Sequence, residues 1–216
     1  MRSLVFVLMM SCAAGSVGGG GAAGQEWDAA AHLDPQILAA LRPVLNAAVR
    51  DSLPLAALES KILEGVAKGI EVDRIREVAM GLANELHAAR SGLRNAFPDA
   101  PLAGTEVSAA ALAMRHGVPL ESLLALWEAR PPSGSLEIPL VVVGELARRG
   151  VPVDMAVETM TNILGSPVPL DLAAQIPARM DQILPTTGTP AAALVEALRS
   201  LRIPPAPPGR RPGGRG

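Results

Sequence analysis

From Asp34 onwards, apolar residues recur along the chain at intervals of three and four. The longest such run comprises Val72, Ile75, Ala79, Leu82, Leu86, Ala89 and Leu93. Charged residues fill many of the positions between them, so the pattern predicts one amphipathic helix of about six turns. A second apolar stripe precedes it, formed by Leu55, Leu58, Ile62, Leu63 and Val66 and ended by Gly69. The two stripes predict consecutive helices joined by a turn.

A short motif occurs three times: glycine, then Val or Ile, any residue, Val or Leu, and an acid. It begins at Gly69, Gly117 and Gly150. Glycine just beyond a helix C-cap adopts the left-handed conformation that closes the helix. The acid then lies in the first turn of the next helix, near its positive end, and Pro119 and Pro152 favour a sharp entry in two of the copies. We therefore predict structural turns at the three glycines.

The spacing of this motif indicates repeated helix–turn–helix units. The copies lie 48 and 33 residues apart, and a longer connection is predicted from Phe97 to Gly104. The expected fold class is all-α, an irregular α-solenoid-like array of helical hairpins in which each hairpin buries its apolar side against a neighbour. Residues 136–143 are ambiguous, because a short apolar run also suits a buried strand. Pro139 fits the first position of a helix and the run continues to Gly150, which favours a central buried helix.

Three regions are predicted along the chain. Residues 1–24 form a signal sequence and a Gly/Ala-rich tether, residues 25–202 a helical-repeat domain that is best defined over 53–165, and residues 203–216 a disordered Pro/Gly/Arg-rich tail. The helical pattern weakens after Ser166, and a last short helix is expected over residues 190–201.

Composition supports the helical interpretation. Hydrophobic residues make up 49% of the chain, yet Phe and Trp occur only twice each and Tyr is absent. Alanine, which dominates the apolar residues, favours helices, whereas aromatic and β-branched residues favour strands. The formal net charge is −2. Without Arg2 and the three tail arginines, 15 basic residues face 21 acidic ones, so no nucleic-acid partner is expected.

The chain begins like an exported protein. A positive charge precedes an apolar run over residues 4–10 and small residues follow, as in a secretory signal. The run is too short for a membrane-spanning helix. Cys12 is the only cysteine, and residues 8–12 resemble the lipobox of bacterial lipoproteins, whose cysteine is acylated. We expect lipidation at Cys12 and an extracytoplasmic location; ordinary cleavage after Ala13 or near Gly24 is the alternative.

No catalytic, cofactor-binding or metal site is predicted. The glycine-rich run over residues 19–24 matches a dinucleotide fingerprint in form, but no parallel βαβ pattern surrounds it. None of His32, His87 and His116 has another His, a Cys or a paired carboxylate at helical metal spacing. The sequence has neither a nucleophile elbow nor a Walker loop, so we expect no cofactor and no enzymatic activity.

Two local features allow a functional interpretation beside a structural one. Glu59, Lys61, Glu64 and Lys68 lie on one helix, either as a patch that contacts a partner or as a solvated face with weak ion pairs. Trp127 either fills the hairpin that opens at Gly117 or anchors a partner. The structural interpretation is favoured for both features. Gly65 interrupts the same helix as the charged patch, which favours close helix–helix packing there.

The Gly117 motif admits one sharper alternative. Ala113, Gly117, Leu123 and Leu126 fit the spacing of a DNA-binding helix-turn-helix. The would-be recognition helix carries more acid than base, which phosphate contacts oppose. Packing between hairpins is therefore the preferred explanation.

Residues 58–70, LESKILEGVAKGI, are followed by Asp73-Arg-Ile. This segment resembles one in uncharacterised exported proteins of GC-rich bacteria, which also carry a later Gly-Val-Pro-Val-Asp unit. The resemblance covers residues 53–164 and implies no activity. The expected function is a non-enzymatic, protein-binding scaffold or adaptor of the cell envelope. Its partner would be an envelope protein, and a lipid anchor would hold it at the membrane. A ligand carrier or an enzyme with a dispersed site is the alternative.

Overall fold

The computed structural model describes residues 33–131 and 134–204, and every regular element in those ranges is an α-helix. The helices are α1 (Pro35–Arg50), α2 (Leu55–Ala67), α3 (Val72–Ala96), α4 (Gly104–Arg115), α5 (Leu120–Glu128), α6 (Glu137–Arg148), α7 (Val153–Leu164), α8 (Leu170–Ala173), α9 (Ile176–Thr187) and α10 (Pro190–Ser200). The all-α prediction is confirmed, and most of the ambiguous run over residues 136–143 lies in α6.

Local sequence signals account for several helix boundaries. Asp34 precedes α1 and accepts, through its carboxylate, a hydrogen bond of 2.8 Å from the amide two residues on. The hydroxyl of Thr189 accepts a bond of 3.3 Å at the start of α10. Such caps satisfy amide groups that have no partner inside the helix. Pro139 was expected at the first position of α6, but it is the third residue, because the helix begins at Glu137.

The long helix α3 connects two hydrophobic clusters. Its first half contributes Ile75 and Ala79 to a small cluster that it shares with α1 and α2. Its second half contributes Leu86, Ala89 and Leu93 to the main core, which continues through α10. With 25 residues, α3 has about seven turns, so one helix can belong to both clusters.

The centre of the main core is α6. It packs against α4, α5, α7, α8 and α9, and Leu140, Val143 and Leu146 are fully buried in it. The helix–turn–helix units are present as α2–α3, α4–α5 and α6–α7. A solenoid stacks its repeats in a regular series, and the contacts of α6 with α4, α5, α7, α8 and α9 do not by themselves show such a series. The solenoid-like arrangement is therefore not confirmed by this packing.

Small residues allow α4 and α6 to pack closely. The buried face of α4 includes Ala109, Ala110 and Ala113. A Cβ atom added at Gly144 of α6 would lie only 3.0 Å from the Cα atom of Ala113, a distance at which the backbones would have to move apart. The alanine-rich composition therefore serves close helix contact as well as helix formation.

The ends of the chain fall largely outside the described residues. The predicted leader, the tether, Cys12 and most of the tail lie there. Ile203, which the sequence places at the start of the tail, is buried, so the helical domain extends at least through this residue. In the described ranges, no helix combines the length and the apolar character needed to span a bilayer.

Candidate functional site

The three glycines of the repeated motif each end a helix. Gly69, Gly117 and Gly150 follow α2, α4 and α6 with φ angles of +65°, +88° and +82°. At each turn the glycine N–H donates to the carbonyl three residues before it, and the next N–H donates to the carbonyl five residues before it. These two bonds define the Schellman motif, which satisfies carbonyls at the helix end.

Two further helix ends use the same bonds without glycine. Ser52 follows α1 with a φ of +52°, and Arg202 follows α10 with a φ of +58°. The sequence analysis missed both, because it took glycine as the marker and other residues adopt this conformation only rarely. The usable signal is the apolar residue that follows each of them, Leu53 and Ile203.

The residue after the turn distinguishes the α2–α3 junction from the other four. In those four the residue is apolar and only 2–4% exposed; the residues are Leu53, Val118, Val151 and Ile203. Ile70 occupies the same position after Gly69 and is 44% exposed. A Schellman motif commonly brings this residue into contact with the helix it follows. The α2–α3 turn therefore leaves in solvent an apolar side chain whose equivalents are buried.

Ile70 borders an open groove between α2 and α3. This α2–α3 groove has a volume of about 250 Å³ and is lined by Lys61, Ile62, Glu64, Gly65, Lys68, Ile70, Arg74, Ile75, Val78 and Ala79. Ile62, Ile75 and Ala79 are buried and form its floor, whereas Ile70 and Val78 are exposed. The groove thus joins an apolar floor to apolar side chains that solvent can reach.

Charged side chains form the rim of the groove. Lys61 Nζ donates to Glu64 Oε2 at 2.7 Å, and Lys68 Nζ donates to the other carboxylate oxygen. These two hydrogen bonds, with the two positive charges, lower the pKa of Glu64 from 4.5 to about 2. Arg74 also lines the groove, where it pairs with Glu77. Three cationic side chains and one anionic side chain therefore line this groove of a chain whose formal net charge is −2.

The apolar face of α2 is narrower than predicted. Leu63, which the sequence places in the buried stripe, is exposed. It follows the fully buried Ile62 by one position, which is about 100° further round the helix.

A Cβ atom added at Gly65 would lie 2.9 Å from Cγ1 of Ile75. Close packing of α2 against α3 therefore accounts for the glycine in this helix.

A buried carboxylate that the sequence analysis did not single out belongs to Glu106, whose side chain is 1% exposed. Its Oε1 accepts a hydrogen bond of 2.9 Å from the Leu136 N–H and lies 3.1 Å from Arg130 Nη2, and its Oε2 accepts one of 3.3 Å from the Ala103 N–H. These contacts tie the starts of α4 and α6 to the end of α5. A glutamate at the third position of a helix commonly accepts from the backbone in this way, and that position is the missed signal.

A second ion-pair network joins α6 to α9. The Arg149 guanidinium donates two hydrogen bonds, of 2.8 and 2.9 Å, to the carboxylate of Asp181. These bonds lower the pKa of Asp181. Burial opposes the ionisation of Glu145, but hydrogen bonds from Arg148 and Arg149 outweigh it and lower its pKa as well. Both carboxylates therefore stay ionised near neutral pH and hold helices together, which does not suit a general acid.

Trp127 packs in the interior of the protein. It is 5% exposed, and its ring stacks on Phe97, with 6.5 Å between ring centroids. Its indole Nε1–H has no hydrogen-bond partner among the described residues. This burial agrees with the structural interpretation and leaves little surface for a partner to contact.

The histidines in the described ranges contact other parts of the chain. Nδ1 of His116 lies 3.1 Å from the Gly144 carbonyl oxygen, and Nδ1 of His87 lies 3.4 Å from a carboxylate oxygen of Asp51. His32 lies outside the described residues. Over residues 33–131 and 134–204, no three His, Cys, Asp or Glu side chains are grouped so that they could hold a metal ion.

The outer face of α5 is acidic and not basic. Glu121 and Glu128 are exposed on α5, whereas Leu123 and Leu126 are buried. Arg130, the one cation considered for this helix, turns inward to the buried carboxylate described above. Phosphate contacts need exposed cations, and α5, the would-be recognition helix, exposes two acids instead.

Cys12 lies outside the described residues, so its lipidation stays a prediction. No protein-family model, curated protein or solved structure matches the chain.

Proposed function

We propose that this chain is a non-enzymatic scaffold or adaptor of the bacterial cell envelope and that it binds a partner protein through the α2–α3 groove. The observation that carries the proposal is the exposure of Ile70 at a turn whose four equivalents bury the corresponding residue. Exposed apolar surface beside a groove is typical of an interaction site. A second protein surface would cover this side chain.

The size and shape of the groove favour a protein partner over a small molecule. Small-molecule sites typically enclose about 300–1,000 Å³ and bury most of the ligand, whereas this groove is open and has about 250 Å³. Most of the exposed large apolar side chains in the described ranges also lie on α1 to α3; these are Val49, Leu63, Ile70, Val78 and Met80. Of these, Ile70 and Val78 line the groove itself.

We infer the chemistry of the partner from the lining of the groove. The side that α2 contributes runs from Lys61 to Lys68, a length of about 10 Å, or two helical turns. An amphipathic helix fits such a groove by inserting apolar side chains at helical spacing. Acidic residues beside that apolar stripe would pair with Lys61, Lys68 and Arg74, since opposite charges at a rim give specificity and faster association.

The predicted location supports this role. A secretory leader would export the chain, and acylation of Cys12 would attach it to a membrane. Attachment of both partners to one envelope raises their effective concentration, so that even a small interface can be occupied. Labelling with a palmitate analogue should mark the wild-type protein and not the Cys12→Ala variant. An unlabelled, soluble wild-type protein would contradict the anchor and leave export intact.

Photo-cross-linking in intact cells tests the binding site. A photo-reactive amino acid at position 70 should capture a specific envelope protein, through a segment with helical apolar spacing flanked by Asp or Glu. The matched control is position 141, because Val141 is also an exposed apolar residue but lies outside the groove. A synthetic peptide of the captured segment should bind the purified protein, and Lys68→Glu should weaken this binding about tenfold.

Three outcomes would contradict the proposal. Equal capture at positions 70 and 141 would show that the groove has no special role, and a captured segment without acidic residues would refute the partner chemistry. A small molecule that co-purifies stoichiometrically, and is lost in the Ile70→Asp variant, would place the ligand-carrier interpretation first.

A further inference from the structure

We infer that in the free protein residues 25–32 of this same chain occupy the α2–α3 groove, with Trp27 on the apolar floor and Glu26 and Asp28 at the basic rim. The inference rests on the proposed function, because it gives the partner helix an internal competitor for the same groove. A partner would then have to displace this segment before it could bind.

The chemistry of the segment matches the groove. Trp27 stands between Glu26 and Asp28, and residues 25–32 contain no Lys or Arg. The indole of a tryptophan carries a large apolar surface, for which Ile70 and Val78 provide exposed apolar contacts at the groove.

The charges at the groove also favour this segment. The two acids would meet the cationic rim, where the only two lysines of the chain are found. Lys61 and Lys68 already pair with Glu64, and Arg74 pairs with Glu77, so Glu26 and Asp28 would add a second acidic partner to cations that have one donor group engaged.

The place where the described chain begins brings the segment close to the groove. Leu33 is buried in the small cluster that also contains Ile62, Ile75 and Ala79, the residues of the groove floor. Trp27 lies six residues before Leu33 and can extend about 20 Å from it. Packed helices lie about 8–10 Å apart, so this reach is enough to pass round one helix. Processing at Cys12 or near Gly24 would leave the segment attached.

Covalent attachment makes weak affinity sufficient. A short tether gives an effective concentration on the order of 1 mM. An intrinsic dissociation constant of about 0.1 mM would therefore make the bound form about ten times more populated than the free form. A partner peptide would bind about tenfold more tightly once the segment is removed from the groove.

Tryptophan fluorescence of the full-length protein tests the inference. The chain has only two tryptophans, so the Trp127→Phe variant reports on Trp27 alone. Its emission should be blue-shifted and protected from acrylamide quenching. Ile70→Asp in this background should shift the emission to the red and at least double the quenching constant. Met80→Asp is the matched control, because Met80 is an exposed residue of α3 outside the groove, and it should change neither signal.

A cross-linking measurement does not depend on the Trp127 substitution. A photo-reactive amino acid in place of Trp27 should form an intramolecular adduct with peptides containing Ile70 or Val78. Lys68→Glu should reduce the yield several-fold, and Asp28→Lys combined with Lys68→Glu should restore it. Adducts spread over the surface, or a solvated Trp27 that Ile70→Asp leaves unchanged, would overturn the inference.

Failure of this inference is distinguishable from failure of the proposed function. A solvated Trp27 together with specific capture of a partner at position 70 would refute the internal competitor alone. A protected Trp27 with no partner captured, even from the Trp27→Ala variant, would refute the partner-binding proposal and leave the segment in the groove as a structural element.

Discussion

Removal of the Glu106 carboxylate should be among the most damaging single changes in this protein. In Glu106→Ala, the amides of Leu136 and Ala103 lose the acceptors they have at 2.9 and 3.3 Å. Arg130 loses the carboxylate that lies 3.1 Å away. All three groups lie where α4, α5 and α6 meet, so the substitution removes the polar contacts that join these three helices at that point.

The magnitude follows from the burial of these groups. A buried donor left without a partner costs about 1–3 kcal/mol, and removal of one member of a buried ion pair costs about 3–5 kcal/mol. The Arg130 side chain is 23% exposed, so water would replace part of its lost partner. We therefore expect Glu106→Ala to lower the free energy of unfolding by about 3–4 kcal/mol. Glu106→Gln should cost about half as much, because the amide keeps the shape and one acceptor oxygen.

The matched control is the exposed ion pair between Glu85 and Arg115, which links α3 to α4. Both side chains are about 40% exposed, so Glu85→Ala should cost less than about 1 kcal/mol. Chemical denaturation followed by far-UV circular dichroism gives both free energies by linear extrapolation. A cost for Glu106→Ala within about 1 kcal/mol of the control would refute the idea that burial makes this carboxylate important.

Three further predictions concern glycines and charge. Gly69→Ala should lower the free energy of unfolding by about 1 kcal/mol, because alanine is strained at a φ of +65°. The control is Gly81→Ala, in open space inside α3, which should raise the free energy of unfolding by about 0.5–1 kcal/mol in the same denaturation assay. If both substitutions change stability in the same direction, the turn assignment of Gly69 is contradicted. Gly144→Ala should cost about 1–3 kcal/mol, since its Cβ would lie 3.0 Å from the α4 backbone, and a gain in stability would show that the two helices are not in close contact. The carboxyl of Glu64 should titrate near pH 2 by NMR, and its pKa should shift toward 4.5 in Lys61→Ala. Because folding lowers this pKa, the ion pair stabilises the fold above pH 4.5, and its contribution is lost as the pH falls through about 2. An unchanged titration of Glu64 in the variant would exclude the ion pair with Lys61.

The sequence predicted helices and turns well because their signals are local. The long apolar run predicted α3 nearly to its ends, since the period of three and four is a property of consecutive residues. Gly69, Gly117 and Gly150 have the positive φ values that their motif implies. Ser52 and Arg202 were missed because neither is a glycine, and the apolar residue that follows each of them was the only local sign of the turn.

Long-range contacts explain what the sequence could not predict. Glu106 looks like an ordinary helical acid until α6 places the amide of Leu136 beside it. The central place of α6 depends on which helices pack together, and a linear pattern does not specify that choice. Leu63 was assigned to the apolar stripe of α2 because it is an apolar residue beside Ile62, yet its position around the helix places it in solvent. For Glu106 and α6 the environment is set by residues distant in the sequence.

The five similar helix ends can be compared with one another within this one chain. Five helix ends share one pattern of hydrogen bonds, and an apolar residue follows each. Four of those residues stabilise the core by burial, so the fold has a common use for this position. Ile70 departs from that use although its turn is formed in the same way. A turn that forms in the usual way and yet exposes its apolar residue beside a groove is a candidate for a requirement other than stability. The exposure of Ile70, and not any motif, marks the α2–α3 groove as the candidate binding site.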